Sequence, residues 1–287
     1  MNIKDQLTKM EHFSNSEKDL AKYILKNKER VLSMSVQELS KETYTSVSTV
    51  VRLCKKMNLK GFAEFKIKFA AELQKNQDNK SENHLINVNF PLDEDDSFYE
   101  ITKKLYELMS DTLQDIYQKV SINEFEKAVQ LIQKSNRTAI FSGGDNYMPA
   151  LSFQNRMMKI NKQILMVTVP YENEQLAFNM NSNDCAIVIT YSGASSFLDK
   201  IINTLKRNSV PIITITARPN SRIGKISTII LQNTDKESQS IKFSTFASQL
   251  GTEFILNTLY SYFFVMNYEK NSKNRIDAEI NFLDGRK

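Results

Sequence analysis

The feature that most constrains the fold is a series of short apolar runs in residues 138–231, each separated from the next by a segment with helical periodicity. Short runs that are apolar on both faces are typical of strands in a parallel sheet covered by helices on both sides. We therefore predict an α/β domain over residues 98–287 that contains a doubly wound, five-stranded parallel sheet. The five predicted strands are Thr138–Phe141, Ile164–Val169, Cys185–Thr190, Val210–Thr216 and Thr228–Leu231.

Residues 1–75 show helical periodicity throughout and predict a separate all-α domain. Two pairs have the spacing of capping boxes, Ser14 with Glu17 and Ser35 with Glu38. A break near residues 43–45 precedes a third predicted helix. One face of that helix is apolar and consists of Val47, Val50, Cys54 and Met57. Residues 76–97, which are polar and then acidic, are predicted to be a linker.

The positive charge of the chain is concentrated in the predicted helical domain. The net charge is +5, and the first 75 residues hold 15 Lys and Arg against nine Asp and Glu. On the third helix, small hydroxylated residues come first and cationic ones follow, as in helices that read DNA bases and contact phosphates. A solvated helix face is the alternative. The candidate DNA-binding residues are Ser46, Ser48, Thr49, Arg52, Lys55, Lys56 and Lys60.

Polar, glycine-containing loops follow the first and third predicted strands, at residues 142–146 and 190–196. In open parallel sheets, ligands bind outside the carboxyl ends of the strands, near a helix N-terminus. Hydroxyls and backbone N–H groups in these loops could surround an anion. The alternative is a plain strand-to-helix turn capped by Ser195 or Ser196. The candidate ligand-binding residues are Gly144, Asp145, Asn146, Thr190, Ser192, Gly193, Ser195 and Ser196.

Several classes of function are disfavoured by composition. The two cysteines, Cys54 and Cys185, lie far apart in the sequence, and the two histidines both lie in the first third of the chain. We therefore expect no metal site, no cofactor and no catalytic residue. The longest apolar stretch is too short to cross a bilayer, and no signal peptide precedes the first helix. The sequence predicts a cytoplasmic protein with no membrane partner.

The segment Ser48–Met57, followed by Leu59-Lys60-Gly61-Phe62, resembles the N-terminal helix-turn-helix of the RpiR family of bacterial transcription regulators. The resemblance implies a double-stranded DNA operator as partner. One residue departs from the family pattern, because Tyr44 occupies the turn position that usually holds glycine. A non-glycine residue rarely adopts a positive φ, so we expect a strained or altered turn.

The segment from Ala186 to Leu231 resembles a SIS (sugar isomerase) domain, the phosphosugar-binding module of the same regulators. The resemblance implies a sugar-phosphate effector and a homodimer or homotetramer. Thr190, Ser192, Gly193 and Ser195 match the family's Ser-x-Ser-Gly-x-Thr phosphate loop.

The loop after the first strand departs from the family, because Asp145 stands where serines commonly help to hold the sugar phosphate. Its negative charge opposes a phosphate dianion unless a cation offsets it. Four interpretations remain: Asp145 faces away, accepts sugar hydroxyls, belongs to a pocket for another ligand, or marks a site that has lost effector binding. The candidate cations are Arg137, Lys159, Arg218 and Arg222.

The leading hypothesis is a DNA-binding regulator that senses a phosphorylated sugar or a related metabolite. A sugar-phosphate isomerase is the alternative from another class, with Glu172, Glu174 or Glu253 as its general base. A third hypothesis is a regulator whose degenerate SIS domain only dimerises.

Overall fold

The computed structural model describes residues 3–78, 86–169, 172–238 and 242–284. The chain divides into two compact units: Met1–Leu105 with Ser238–Ser244, and Tyr106–Glu237 with Thr245–Lys287. The predicted linker lies partly outside the described residues, at 79–85. No helix in the described ranges combines the length and apolarity that crossing a membrane requires.

The first unit is helical. Its helices are α1 (Ile3–Lys9), α2 (Asn15–Lys26), α3 (Lys28–Ser33), α4 (Val36–Glu42), α5 (Val47–Lys56) and α6 (Phe62–Asp78). Both predicted capping boxes are present, at the starts of α2 and α4. The helices pack around a core that includes the stacked rings of Phe62, Phe65 and Phe69. Helix α6 continues into the first residues of the segment predicted to be a linker.

The buried face of α5 differs from the prediction at one position. Val50, Leu53, Cys54 and Met57 are buried. Val47 was predicted to face inward, but it is 39% exposed because it begins the helix one turn before the core contacts.

The second unit consists of helices and one parallel sheet. The helices are α7 (Phe98–Lys119, which begins in the first unit), α8 (Ile122–Lys134), α9 (Tyr147–Met158), α10 (Glu172–Phe178), α11 (Ser196–Arg207), α12 (Arg222–Ile226), α13 (Phe246–Met266) and α14 (Tyr268–Asp284). The strands are β1 (Thr138–Phe141), β2 (Cys185–Ile189), β3 (Ile212–Thr216) and β4 (Ile229–Gln232), all parallel and in the order β1-β2-β3-β4. Separate apolar clusters cover the two faces of the sheet.

The prediction of five strands was wrong, since the sheet has four. Residues 164–169 form no strand, and only Leu165 pairs, in an isolated parallel bridge to Ala139. The N–H of Ile140 donates to the carbonyl of Leu165, and the N–H of Leu165 donates to the carbonyl of Thr138. A single bridging residue is too short a pairing to make a ladder, although the apolar run that contains it has the composition of a strand.

Both cysteines are buried and neither forms a disulfide. Burial raises the pKa of each thiol, Cys54 and Cys185, to about 12. A thiol with so high a pKa is a poor nucleophile, so both cysteines serve as small core residues.

Candidate functional site

The N-terminus of α5 is built by three hydroxylated residues. Ser46 is the N-cap, and its Oγ accepts a hydrogen bond from the N–H of Thr49 at 3.1 Å. The same Oγ lies 2.7 Å from the hydroxyl of Ser48 and 2.9 Å from that of Thr49. Ser46 and Ser48 are exposed, whereas Thr49 is buried. Ser46 and Ser48 therefore present their side chains to solvent at the start of this helix, while Thr49 helps to fix its cap.

The cationic residues of α5 fall into two groups. Lys56 Nζ lies 2.7 Å from Glu17 Oε2 and also donates to the carbonyl of His12 at 2.8 Å. Arg52 Nε lies 3.6 Å from Glu17 Oε1. Lys55 is exposed, and no ion pair joins it to any residue that the structure describes. Arg52 and Lys56 thus brace α5 against α2, and Lys55 projects from the same helix without such a contact.

Glu17 is the centre of this bracing. Its side chain is 1% exposed and also closes the capping box with Ser14. Burial raises the pKa of Glu17, but hydrogen bonds from Lys56 and from Ser14 lower it by a larger amount. The pKa of Glu17 is therefore below its ordinary value. The carboxylate is therefore stabilised in its charged form, and α2 and α5 are joined through it.

The turn between α4 and α5 keeps the conformation that glycine usually provides. Tyr44 has a φ of 52° and is 98% exposed. The N–H of Thr45 donates to the carbonyl of Ser40, and the hydroxyls of Thr43 and Thr45 lie 2.9 Å apart. These contacts hold Tyr44 in the left-handed region, at a strain of about 1–2 kcal/mol.

In the second unit, the parallel segments that follow β1 in the chain lie on opposite sides of it. The bridge to Leu165 lies on one edge of β1, and β2 pairs with the other edge. The chain therefore passes from β1 to one side and returns to the other, and in open parallel sheets such a switch point is where a ligand-binding crevice is expected, at the carboxyl ends of β1 and β2. The two candidate loops leave the sheet at this position.

The loop from Thr190 to Ser196 turns sharply at Gly193 before α11 begins. Gly193 has a φ of 67°, and a Cβ there would overlap the hydroxyl of Ser221. The Ser192 hydroxyl donates to the carbonyl of Ala194 at 2.7 Å and accepts from its N–H at 3.3 Å. Ser195 is the N-cap of α11, but its side chain makes no capping hydrogen bond. The first turn of this 12-residue helix is therefore not closed by its own cap.

The loop after β1 contains a second set of polar groups. Gly144 has a φ of 59°, and the Asp145 carboxylate accepts a hydrogen bond from the Thr245 hydroxyl at 2.6 Å. Asn146 Oδ1 accepts from the Thr252 hydroxyl at 3.0 Å. The hydroxyl oxygen of Ser142 is buried and has no hydrogen-bond partner in the described part of the chain. Sequence reasoning did not select Ser142, although its place at the end of an apolar strand was the available signal.

The two loops lie side by side. A Cβ on Gly143 would lie 3.9 Å from the ring of Phe197, in the first turn of α11. Both loops are also anchored towards α13, since Thr252 belongs to that helix and the Tyr191 hydroxyl donates to the carbonyl of Glu237 at 2.8 Å. The Glu237 carboxylate in turn accepts from the N–H of Ser248 at 2.7 Å.

The four candidate cations have different surroundings. Arg137 precedes β1 at the amino end of the sheet, where it pairs with Asp184 at 2.6 Å, so it lies away from the crevice. Arg222 pairs with Asp199 at 2.7 Å. Arg218 follows β3 at the carboxyl edge, and its Nε is buried without a partner among the described residues. Lys159 is the C-cap residue of α9.

Two of the three glutamates that were candidates for a general base are held in ion pairs. Glu253 lies 2.6 Å from Arg156, and Glu174 lies 3.5 Å from Lys200. Within the described residues, no three His, Cys, Asp or Glu side chains come together in a group that could hold a metal ion.

Comparison with known proteins identifies both parts. The helix-turn-helix domain of the rpiR family matches residues 1–76, and the SIS domain matches residues 131–253. The chain joins an RpiR-family helix-turn-helix domain to a SIS domain. Both resemblances predicted from the sequence are thereby confirmed.

Proteins similar to this chain are named as helix-turn-helix transcriptional regulators. An uncharacterised HTH-type transcriptional regulator of Haemophilus influenzae is 25% identical over 248 residues, which cover 86% of this chain and 84% of that protein. The HTH-type transcriptional regulator HexR of Escherichia coli is 24% identical, over 76% of this chain and 73% of its own. These names agree with a regulator rather than an enzyme.

A solved structure shares the fold across both domains. The NanR protein of Vibrio vulnificus, solved in complex with ManNAc-6P, superposes with a TM-score of 0.61 at 21% identity and covers 97% of each chain. The likeness confirms the fold as a helical region followed by an α/β domain of SIS type.

Proposed function

We propose that the protein is a transcription regulator whose helix-turn-helix domain binds a DNA operator and whose SIS domain binds a phosphorylated sugar that alters this binding. The observation that carries the proposal is the union, in one chain, of an exposed cationic helix and two adjoining polar loops at a sheet crevice. Residues 1–75 would bind DNA and residues 98–287 the effector, with 76–97 as the linker.

Support for DNA binding comes from the surface of α5. Ser46 and Ser48 are exposed at its start and Lys55 near its end. This order suits base contacts near the helix N-terminus and phosphate contacts farther along. Because Lys56 and Arg52 brace the domain through Glu17, Lys55 and Lys60 are the better candidates for phosphate contacts.

Support for effector binding comes from the unfilled hydrogen-bonding capacity at the crevice. The N-terminus of a helix binds anions through its N–H groups and its dipole. At α11 the Ser195 side chain leaves the cap open, and Gly193 bends the backbone towards that terminus. The NanR relative binds ManNAc-6P, an acetylated amino-sugar phosphate, and we propose that this chain takes a ligand of the broader sugar-phosphate class.

A homodimer or homotetramer and a cytoplasmic location belong to the same proposal. Two-fold pairing would place two recognition helices on a palindromic operator. The effector would change DNA affinity by binding one arrangement of the domains more tightly than another.

The test uses the full-length protein. Duplexes that bind it would be selected from a random-sequence pool, and their affinity measured with and without a panel of sugar phosphates and the unphosphorylated parents. We expect one sugar phosphate to change the affinity by at least about fivefold, a typical allosteric coupling, while its parent has no effect.

Two outcomes would contradict the proposal. Failure to select any duplex would remove the DNA-binding function. Selected duplexes whose affinity no sugar phosphate changes would favour a SIS domain that only dimerises.

A further inference from the structure

Asp145 presents an acceptor beside the proposed phosphate loop. Its carboxylate is exposed, and one oxygen accepts from Thr245 at 2.6 Å. No Lys or Arg side chain forms an ion pair with it in the ranges that the structure describes. A carboxylate can accept several hydrogen bonds and donates none, so the acceptor sites that face solvent are open to a donor group of a ligand.

The position of Asp145 makes this unpaired charge significant. Its loop adjoins the first turn of α11 through Gly143 and Phe197, and that turn is where the ligand's phosphate would lie. The phosphate ester of an uncharged sugar brings only negative charge to this site, and the Asp145 carboxylate repels it. A ligand hydroxyl could donate a hydrogen bond to the Asp145 carboxylate, but the repulsion between this carboxylate and the phosphate would remain.

We infer that Asp145 selects a phosphorylated amino sugar with a free primary amine, whose ammonium group the carboxylate accepts while the phosphate lies at the Thr190–Ser196 loop. This inference rests on the proposed function and specifies the effector. A charge-assisted hydrogen bond to ammonium is roughly twice as strong as one between neutral groups. Thr245 holds one carboxylate oxygen and so fixes the direction in which the other can accept.

The experiment compares matched ligands on the full-length protein by calorimetric titration. The 6-phosphates of glucosamine, galactosamine and mannosamine would each be paired with the corresponding hexose 6-phosphate and N-acetylated derivative. We expect one of the three amino-sugar phosphates to bind about tenfold more tightly than both its hexose 6-phosphate and its N-acetylated derivative. Asp145→Asn should remove this preference and leave the affinity for the hexose phosphate equal or improved. Glu126→Gln, which removes an exposed carboxylate from α8, should change nothing.

The outcomes separate this inference from the proposed function. An amine preference that Asp145→Asn leaves unchanged would overturn the role of Asp145. Equal or tighter binding of the hexose or acetylated forms would overturn the ligand class while sugar-phosphate sensing stands. Absence of binding by every phosphate in this panel would overturn the amino-sugar inference, and the proposed function would then be decided by the duplex-affinity test with the wider panel of sugar phosphates.

Discussion

In the helical unit, the Glu17 side chain is buried and bonded on several sides, closing a capping box and holding Lys56 at 2.7 Å. At the sheet crevice, by contrast, the Ser142 hydroxyl is buried without a partner among the described residues, and the Ser195 side chain caps nothing. Buried polar groups in native proteins are normally hydrogen-bonded, so the first arrangement stabilises a fold and the second is where we propose that a ligand binds.

The largest effect on stability is expected at Gly193, where the backbone has no room for a side chain. Gly193→Ala would put a Cβ on a left-handed residue and against the Ser221 hydroxyl. We expect the free energy of unfolding of the SIS unit to fall by about 2–4 kcal/mol, with loss of the sugar-phosphate response. Scanning calorimetry checks this. Gly61→Ala is the control, since its Cβ would meet no atom within 4 Å, and an equal effect of both changes would contradict the assignment.

The next effect separates bracing from DNA contact on one helix. Lys56→Ala removes the shortest ion pair of the buried Glu17 and should destabilise the helical unit by about 2 kcal/mol. Lys55→Ala should change stability by less than about 0.5 kcal/mol, because the side chain is exposed. It should instead weaken binding to all DNA sequences and reduce the salt slope by about 0.9.

Denaturation and salt titrations on the two lysine variants therefore give opposite results. A destabilised Lys55→Ala protein with an unchanged salt slope would remove Lys55 from the proposed phosphate contacts. Lys206→Ala, at an exposed position on α11 in the other unit, serves as the control for loss of one positive charge.

A pH titration sharpens the same contrast. Because the pKa of Glu17 is lowered in the folded chain, its stabilisation is present above its ordinary value of 4.5 and is lost as pH falls through the folded pKa. The stability difference between the parent protein and Glu17→Gln should thus be constant near neutral pH and shrink below pH 4.5. Denaturant unfolding at several pH values measures it, and a difference that grows in acid would contradict the bracing role.

The smallest effect concerns strain in the helix-turn-helix turn. Tyr44→Gly should stabilise the helical unit by about 0.5–1 kcal/mol, because glycine adopts a positive φ without steric cost and the exposed ring loses no packing. Tyr44→Ala keeps the Cβ and should have little effect. Chemical denaturation of both variants makes the comparison, and a destabilised glycine variant would show that the ring has another role.

Features set by neighbouring residues were predictable from the sequence, whereas those set by distant contacts were not. The capping boxes at Ser14 and Ser35 depend on residues three positions apart, and both are present. The Lys56–Glu17 pair joins residues 39 positions apart and could not be inferred from spacing. Likewise, the run at residues 164–169 has the composition of a strand, but whether it pairs depends on its contact with β1. Only Leu165 pairs there, with Ala139.

The candidate ligand site shows the same division. Strand ends and the glycine-containing loops could be located from the sequence, and the bend at Gly193 follows from local chemistry. The direction of Asp145 could not, because Thr245 lies 100 residues along the chain. Its assignment to sugar binding remains a prediction.

The most direct test of the central claim is thermal unfolding of three proteins, the parent, Ser195→Ala and Ser261→Ala, against sugar phosphates and their unphosphorylated parents. Ser195 makes no capping bond, so its hydroxyl can be removed without loss of a described contact in the fold, and Ser261 is an exposed serine on α13. A ligand that binds only the folded state adds about 2.7 kcal/mol at a hundredfold its Kd. The account predicts that one sugar phosphate stabilises the parent and Ser261→Ala but much less Ser195→Ala. Equal shifts in all three proteins, or no shift in the parent, would contradict it.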